Sequence, residues 1–201
     1  MKQWMFLPLG FFSGSVMYSY LIGRFAIGAD IRTYGDGNPG SANVFRSGHL
    51  ALGILSMLLD FGKGFLPVVA FRSFFPHEPV WLVLVSVAPV LGHAFSPWMK
   101  GKGGKAVAVT FGIWSGLTLW QVPCLLGGCF ILFMKGIIFE PDGWKVIMGM
   151  LVVLVFLLFA LPSVSFFVIW VANFSILVYK HRADIKQGFR VRFGFSLRSK
   201  R

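Results

Sequence analysis

The chain has 201 residues, of which 56% are hydrophobic and only 13% are charged, and its mean hydropathy is +0.75. This composition excludes an ordinary soluble domain and predicts an all-α integral membrane protein. A net charge of +12 would suggest nucleic-acid binding in a soluble chain. In a membrane protein the basic residues serve first to orient the helices, so we expect no nucleic-acid partner.

Apolar runs bounded by Gly, Pro and charged residues predict seven transmembrane helices. Their expected ranges are 4–27, 49–72, 79–98, 105–119, 121–138, 145–161 and 163–180. The fourth and fifth are separated by Gln121, Pro123 and nearby glycines, which permit either a tight turn or a kink within one broken helix. Six helices are therefore the alternative.

Charge predicts the orientation of these helices. With the N-terminus outside, fifteen of the 19 Lys and Arg residues fall in cytoplasmic segments, as the positive-inside rule requires. We therefore expect a membrane domain at 1–181 and a basic cytoplasmic tail at 182–201. In the tail, basic residues alternate with Phe189, Phe193 and Phe195, which suits either adhesion to anionic lipid head groups or a solvated tail that only fixes topology.

A glycine-rich polar segment at 30–46 lies between the first two helices. Gly35, Gly37 and Gly40 permit backbone conformations in which successive N–H groups converge on an anion. Arg32 and Arg46 flank the segment and can neutralise that anion. The pattern predicts a phosphate site at the membrane surface.

A second glycine-rich segment, 100–105, follows the third helix with the sequence Lys-Gly-Lys-Gly-Gly-Lys. Gly103 and Gly104 allow the backbone to approach a phosphate closely, and Lys102 and Lys105 supply charge. The segment is not a Walker A loop, because the required spacing and the Ser or Thr after the lysine are absent. A topological loop that only carries positive charge is the alternative.

Asp60 and Lys63 are three residues apart on an otherwise apolar helix, so their side chains can meet inside the bundle. We favour a structural ion pair over direct substrate contact. His93 and His181 fall at cytoplasmic helix ends, where each can be a general base, a phosphate ligand or a hydrogen-bonded packing residue. No His, Cys and carboxylate cluster has the spacing of metal ligands, so we expect no metal and no cofactor. The segment 140–142 is interpreted as a turn.

The order and spacing of these motifs resemble the bacterial acyl-phosphate glycerol-3-phosphate acyltransferases, the PlsY family. The residues that carry the resemblance are 21–24, 30–32, 35–44 with Arg46, 59–64, 92–93, 102–105 and 181–182. The resemblance covers nearly the whole chain.

The resemblance implies a seven-helix protein of the bacterial inner membrane whose active site opens to the cytosol. Such an enzyme transfers a fatty acyl group from acyl phosphate to the 1-hydroxyl of sn-glycerol 3-phosphate, giving lysophosphatidic acid and phosphate. Its partners would be these two substrates, membrane lipid and an enzyme that produces acyl phosphate. An apolar groove and two anion sites at the membrane edge would suit this reaction.

The resemblance also assigns roles to individual residues. Lys105 would bind phosphate and offset the charge on the leaving group, and His181 would close the pocket. The catalytic set would also include Arg46, Asn43 and Asp184. The phosphate-binding set would comprise Asp36, Gly37, Asn38, Gly40, Ser41, Lys102, Gly103, Gly104 and His93. The donor's own phosphate would accept the hydroxyl proton, so that no protein base is needed.

Several positions depart from the family pattern. Asp36 and Asp184 stand where the family has serine and asparagine, Ala42 replaces a threonine, and a serine-containing segment is replaced by 135–139. Since a carboxylate repels phosphate, Asp36 must turn away, pair with Arg46 or Lys105, or be protonated. A divergent enzyme with another acyl acceptor, such as a polyol, or an inactive relative is therefore one alternative. An anion transporter is another, less favoured because the polar residues concentrate at one face.

Overall fold

The computed structural model describes residues 2–194, which form ten α-helices and two short strands. The helices are α1 (Phe6–Ser15), α2 (Tyr18–Ile22), α3 (Ser41–Arg46), α4 (Leu50–Phe74), α5 (Pro79–Ala94), α6 (Val107–Thr118), α7 (Gln121–Lys135), α8 (Asp142–Ala160), α9 (Val164–Lys180) and α10 (Arg182–Lys186). The strands are β1 (Ile137–Glu140) and β2 (Arg190–Phe193). The architecture is thus mainly helical.

The first predicted helix is interrupted in the structure. The continuous helix expected at 4–27 breaks at Val16 and Met17, between α1 and α2, and ends in a π-helical turn at Gly23–Ile27. The break frees backbone carbonyls for side chains of neighbouring segments. Val16 O accepts a hydrogen bond of 2.6 Å from Lys63 Nζ, and Ser15 O accepts one of 2.6 Å from Ser96 Oγ. The break is therefore held by polar contacts.

The other predicted helices are present with shifted ends. The helix at 79–98 ends four residues early, at Ala94, and α8 begins at Asp142 instead of 145. A turn at Leu119 and Trp120 separates α6 from α7. Four segments, Gln3–Ile27, Leu50–Phe74, Pro79–Met99 and Asp142–Ala160, are long and apolar enough to cross a membrane, while α6, α7 and α9 are shorter apolar helices.

The strands β1 and β2 are a feature that the all-α prediction missed. They pair antiparallel with Ile137 opposite Phe193 and Glu140 opposite Arg190. The Phe189 ring, just before β2, stacks on Phe139 at a centroid distance of 5.5 Å. Residues 182–194 therefore fold back onto β1 and α8, whereas Phe195 and the rest of the predicted tail lie outside the described residues.

The core lies where the six helices α4 to α9 meet, and two features keep its helices close. On α6, a Cβ at Gly112 would lie 2.1 Å from Phe61 O, so only glycine fits against α4 there. A buried polar chain joins α6 to α9: Trp114 Nε1 donates to Asn173 Oδ1 at 3.1 Å, and Asn173 Nδ2 donates to Thr110 Oγ1 at 2.9 Å. Such fully bonded polar groups fix the helix register.

Asp60 and Lys63 form a buried ion pair on α4. Lys63 Nζ lies 2.7 Å from Asp60 Oδ1, and both side chains are almost fully buried. Lys63 also donates to Val16 O, as described above. Asp60 holds α2, because Ser19 Oγ donates to Asp60 Oδ2 at 3.1 Å. The pair thus ties the broken first segment to α4, which agrees with a structural role.

Replacing Lys63 with methionine is expected to destabilise the protein by about 3–5 kcal/mol, because Asp60 would remain buried without its counter-ion. The double variant Asp60→Asn, Lys63→Met removes both charges and should lose clearly less stability. Thermal unfolding of the detergent-solubilised protein measures both effects. Equal losses in the single and double variants would show that the pair does not act as a unit.

Candidate active site

The first glycine-rich segment folds into two turns followed by the short helix α3. Asp30 caps the first turn by accepting a bond from Arg32 N–H, and its carboxylate lies 2.6 Å from Arg32 Nη2. This hydrogen bonding lowers the pKa of Asp30 to about 2. Gly35 and Gly37 have φ of +54° and +72°, which glycine adopts without strain. Arg32 is thus engaged by Asp30, and among the described residues it forms no ion pair with a member of the predicted phosphate-binding set.

Asn43 organises the rest of this segment. Its buried amide Nδ2 donates to Asn38 O at 2.8 Å and to Asp36 Oδ1 at 3.1 Å. Its Oδ1 accepts from Arg46 Nη1 at 2.9 Å. An Asn side chain has both the donors and the acceptor for this task. Asn43 therefore fixes Asp36 and Arg46 relative to each other.

Lys105 joins the two glycine-rich segments to α10. Its Nζ lies 2.9 Å from Asp36 Oδ2 and 2.8 Å from Asp184 Oδ2. Asp184 Oδ2 also lies 3.0 Å from His181 Nδ1, and Arg46 Nη1 lies 3.7 Å from Asp36 Oδ1. We refer to Asp36, Arg46, Lys105, His181 and Asp184 as the Lys105 cluster. Its five members come from three segments that are far apart in sequence: 36–46, Lys105 and 181–184.

Both carboxylates of the cluster are held ionised by Lys105. Burial opposes the ionisation of Asp36, but hydrogen bonding and Coulombic attraction from Lys105 outweigh it, so the pKa of Asp36 is lowered. Burial likewise opposes the ionisation of Asp184, yet bonds from Lys105 and His181 lower its pKa. Of the three outcomes expected for Asp36, the structure shows pairing with a base. The consequence is that Lys105 carries two anionic partners before any substrate binds.

His181 is the buried member of the cluster, with 3% of its surface exposed. Burial lowers its pKa, and only part of this effect is offset by the hydrogen bond to Asp184. The neutral imidazole then donates its Nδ1–H to Asp184 Oδ2. Its Nε2 has no hydrogen-bond partner among residues 2–194, so a proton there would be buried without an acceptor.

This arrangement predicts that acidification destabilises the protein. A group whose pKa is lowered in the folded state stabilises the fold above its unfolded pKa, and this stability is lost as pH falls. For His181 the loss begins below pH about 6.5, the pKa of an unperturbed histidine. The midpoint of thermal unfolding should therefore fall between pH 7 and 5. The fall should be smaller in His181→Gln; an identical pH dependence in both proteins would contradict this assignment.

Several other predicted site residues lie at the edge of the cluster. Gly40 is buried, and its carbonyl accepts a hydrogen bond of 3.1 Å from Asn43 N–H in the first turn of α3, which Ser41 begins. The side chain of Lys102 is exposed, while Gly103 and Gly104 are buried. These positions surround the Lys105 cluster without contributing side chains to its ion pairs.

His93 lies in the last turn of α5, at the predicted helix end, and its surroundings favour packing among the roles considered for it. It is buried under the second glycine-rich segment, where a Cβ at Gly104 would lie 2.1 Å from its Nε2. Its Nδ1 lies 3.9 Å from Asp60 Oδ1. The imidazole thus packs between the loop and the Asp60–Lys63 pair, and in this geometry it is not open to a phosphate.

Asp142, the first residue of α8, contacts the site but is absent from the residues predicted from the sequence. Asp142 Oδ2 lies 3.8 Å from Arg46 Nη2, and Asp142 Oδ1 lies 2.6 Å from Lys145 Nζ. The segment 140–142, interpreted as a turn, is the end of β1 and the first residue of α8. Lys135 and Lys145 flank it in the sequence and predict the same membrane face as the glycine-rich segments, a signal that could have found it.

A polar cavity opens beside this helix start, with a volume of about 350 Å³. Its lining residues are Glu140, Pro141, Asp142, Lys145, Gln187 and Arg190. Among the described residues, no group of three or more His, Cys, Asp and Glu side chains is arranged to hold a metal ion. The Lys105 cluster contains two cations, Lys105 and Arg46, which can each bind an anionic oxygen.

Comparisons with known proteins point in the same direction. A sequence model described as glycerol-3-phosphate acyltransferase matches residues 4–190. Glycerol-3-phosphate acyltransferase 1 of Thermotoga maritima is 35% identical over 202 aligned positions, which cover 93% of this chain and 98% of that protein.

Two crystal structures of PlsY (YgiH), described as an integral membrane glycerol 3-phosphate acyltransferase, share the fold. The glycerol 3-phosphate form is 26% identical with a TM-score of 0.82. The lysophosphatidic acid form is 25% identical with a TM-score of 0.81. Each comparison covers 92% of this chain and 90% of PlsY.

Proposed function

Since the chain belongs to the glycerol-3-phosphate acyltransferase family, we propose that it transfers a fatty acyl group from acyl phosphate to the 1-hydroxyl of sn-glycerol 3-phosphate. The products would be lysophosphatidic acid and inorganic phosphate. The observation that carries this proposal to particular residues is the Lys105 cluster, in which two cations from different segments face the same carboxylate.

Lys105 and Arg46 are the proposed ligands of the phosphate group of glycerol 3-phosphate, the acceptor. Both contact Asp36, so a phosphate that binds both must displace this carboxylate or lie beside it. Asn43 keeps Arg46 in place through the bond to its Nη1. Binding thus exchanges an internal ion pair for a charge-assisted contact with substrate.

In the proposed reaction the 1-hydroxyl oxygen attacks the acyl carbon, and the bond from this carbon to the phosphate oxygen breaks. The hydroxyl proton passes to the departing phosphate, so atoms and charges balance without a protein base. Lys105 offsets the charge on the departing phosphate, which is electrostatic stabilisation by a positioned cation. His181 holds Asp184, and through it the orientation of the Lys105 ammonium.

A second candidate is transfer to a less anionic acceptor, such as a polyol. The observation that favours it is the engagement of Lys105 by two carboxylates, Asp36 and Asp184. A carboxylate accepts hydrogen bonds from hydroxyl groups but repels a phosphate. Comparison of the two acceptors therefore discriminates between the candidates.

The test is an acyl-transfer assay with the purified protein in lipid nanodiscs. Palmitoyl phosphate and glycerol 3-phosphate should yield lysophosphatidic acid and phosphate in equal amounts, and palmitoyl-CoA in place of palmitoyl phosphate should yield much less. Glycerol replaces glycerol 3-phosphate in a parallel reaction. The absence of lysophosphatidic acid with palmitoyl phosphate would reject the proposal, and a higher efficiency with glycerol would support the second candidate.

We also propose that the protein spans the bacterial inner membrane seven times, with the N-terminus outside and the Lys105 cluster facing the cytoplasm. The charge distribution supports this orientation. An enzyme that makes acyl phosphate would then supply the donor from the same side.

Cysteine labelling is expected to reveal this orientation. In a variant without the native Cys124 and Cys129, a cysteine at His77, between α4 and α5, should react with a membrane-impermeant maleimide in intact spheroplasts. A cysteine at Lys102 should react only after the membrane is opened. The reverse pattern would place the Lys105 cluster outside.

A further inference from the structure

Lys180, the last residue of α9, connects three parts of the molecule through one ammonium group. Its Nζ donates to Ala94 O at 2.8 Å and to Gly103 O at 2.9 Å. It also lies 5.6 Å from the centre of the Phe95 ring. Ala94 ends α5, and Gly103 precedes Lys105 by two residues. Lys180 therefore joins α9, α5 and the second glycine-rich segment.

The second glycine-rich segment depends on such backbone contacts for its position. Its glycines have no side chains to pack, and a Cβ at Gly103 would lie 1.9 Å from His93 O. Gly104 N–H donates to His93 O at 3.0 Å. The Gly103 carbonyl bound by Lys180 thus belongs to a short stretch pressed onto the C-terminus of α5.

A lysine suits this position for two reasons. The last carbonyls of α5 have no partner within the helix and carry a partial negative charge, which a cation stabilises. An ammonium group also has three donors, so it can bond two carbonyls at once. An apolar side chain of similar length would leave both carbonyls without this donor.

The end of α9 and the following α10 consequently hold Lys105 at two points. Lys180 binds the backbone two residues before it, and Asp184 binds its ammonium group. We propose that Lys180 is a positioning residue that places Lys105 for phosphate binding; this inference rests on the proposed function. Lys180 acts through the loop and does not itself contact substrate.

The test compares Lys180→Met and Lys180→Arg with wild type. Lys135→Met is the matched control, because Lys135 also ends a helix, α7, but its side chain is exposed. Two quantities are measured in nanodiscs: the kinetic constants for glycerol 3-phosphate, and backbone hydrogen exchange of a peptide covering 100–106 in the absence of substrate. Thermal unfolding checks that each variant is folded.

Lys180→Met should lower kcat/KM by about 10- to 100-fold, the effect of a small displacement of a catalytic group. Backbone hydrogen exchange in 100–106 should also become faster, whereas the exchange rate in α6 should not change. Lys180→Arg, whose guanidinium can bond both carbonyls, should restore slow exchange and most of the activity. Lys135→Met should behave as wild type.

Wild-type exchange in Lys180→Met would overturn the inference, as would a loss of activity without faster exchange in 100–106. Lys180→Arg with the same defect as Lys180→Met would overturn it too. The exchange measurement does not depend on acyl transfer. If the wild-type protein has no activity, the proposed function is rejected. The exchange rates then still decide whether Lys180 holds the loop in place.

Discussion

Lys105→Met is expected to lower kcat/KM for acyl transfer by about 10²- to 10³-fold, the usual effect of removing one group that stabilises charge in the transition state. Lys105 Nζ is the point at which both glycine-rich segments and α10 meet, and its 2.8–2.9 Å contacts show that it can approach anionic oxygens closely. Arg46 approaches the other oxygen of Asp36, so it does not occupy the position of the Lys105 ammonium group.

The loss should appear mainly in kcat if Lys105 offsets charge on the departing phosphate, and mainly in KM if it only binds the acceptor. Initial rates over a range of glycerol 3-phosphate and palmitoyl phosphate concentrations separate these effects. Lys186→Met, which removes an exposed lysine of α10, is the control for net charge. Activity of Lys105→Met within threefold of this control would remove Lys105 from the site.

Folding must be separated from chemistry in this variant. Without the ammonium group, Asp36 and Asp184 lose the bonds that lower their pKa values. The variant is therefore expected to unfold at a lower temperature than wild type. Adding Asp36→Asn to Lys105→Met removes one of the two carboxylates that have lost the Lys105 ammonium group, and it should recover stability without recovering activity.

Asp36→Asn is expected to improve acyl transfer, in contrast to Lys105→Met, by lowering KM for glycerol 3-phosphate about tenfold. A phosphate bound by Lys105 and Arg46 lies close to Asp36, and like charges about 5 Å apart in a partly exposed site repel by about 1–3 kcal/mol. Asparagine keeps the oxygen that accepts from Asn43 Nδ2 and Asn38 N–H, so the loop geometry is retained.

The matched control is Asp30→Asn, which removes a carboxylate from the same segment. Asp30 is paired with Arg32 and not with the Lys105 cluster, so its neutral variant should leave KM for glycerol 3-phosphate unchanged. A fall in activity of Asp36→Asn, with wild-type behaviour of Asp30→Asn, would mean that the Asp36 charge serves the reaction. That result would favour an acceptor which donates hydrogen bonds to a carboxylate.

Much of the helical framework could be predicted from the sequence because apolar runs and charge carry that information directly. The start of α5 at Pro79 and the separate helices α6 and α7 follow from local chemistry. The meeting of Lys105 with Asp36 follows from charge, since both glycine-rich segments were assigned to one end of the bundle. The pairing of Asp36 with a base was one of three expected outcomes.

The contacts that could not be predicted are those made between distant segments. The break at Val16 is stabilised by Lys63 and Ser96, whose positions are known only once the helices pack. The strands β1 and β2 have four residues each and lie about 50 residues apart, so no local pattern reveals their pairing. The two carbonyls that bind Lys180 are invisible in sequence for the same reason.

The central claim is that the Lys105 cluster receives the phosphate of the acceptor, and a crystal structure of the protein with glycerol 3-phosphate bound tests it most directly. The phosphate should lie within hydrogen-bond distance of Lys105 Nζ and an Arg46 guanidinium nitrogen, with the Asp36 carboxylate displaced from at least one of them. A phosphate bound instead in the polar cavity beside Lys145 and Arg190, with the Lys105–Asp36 and Lys105–Asp184 pairs intact, would contradict the claim.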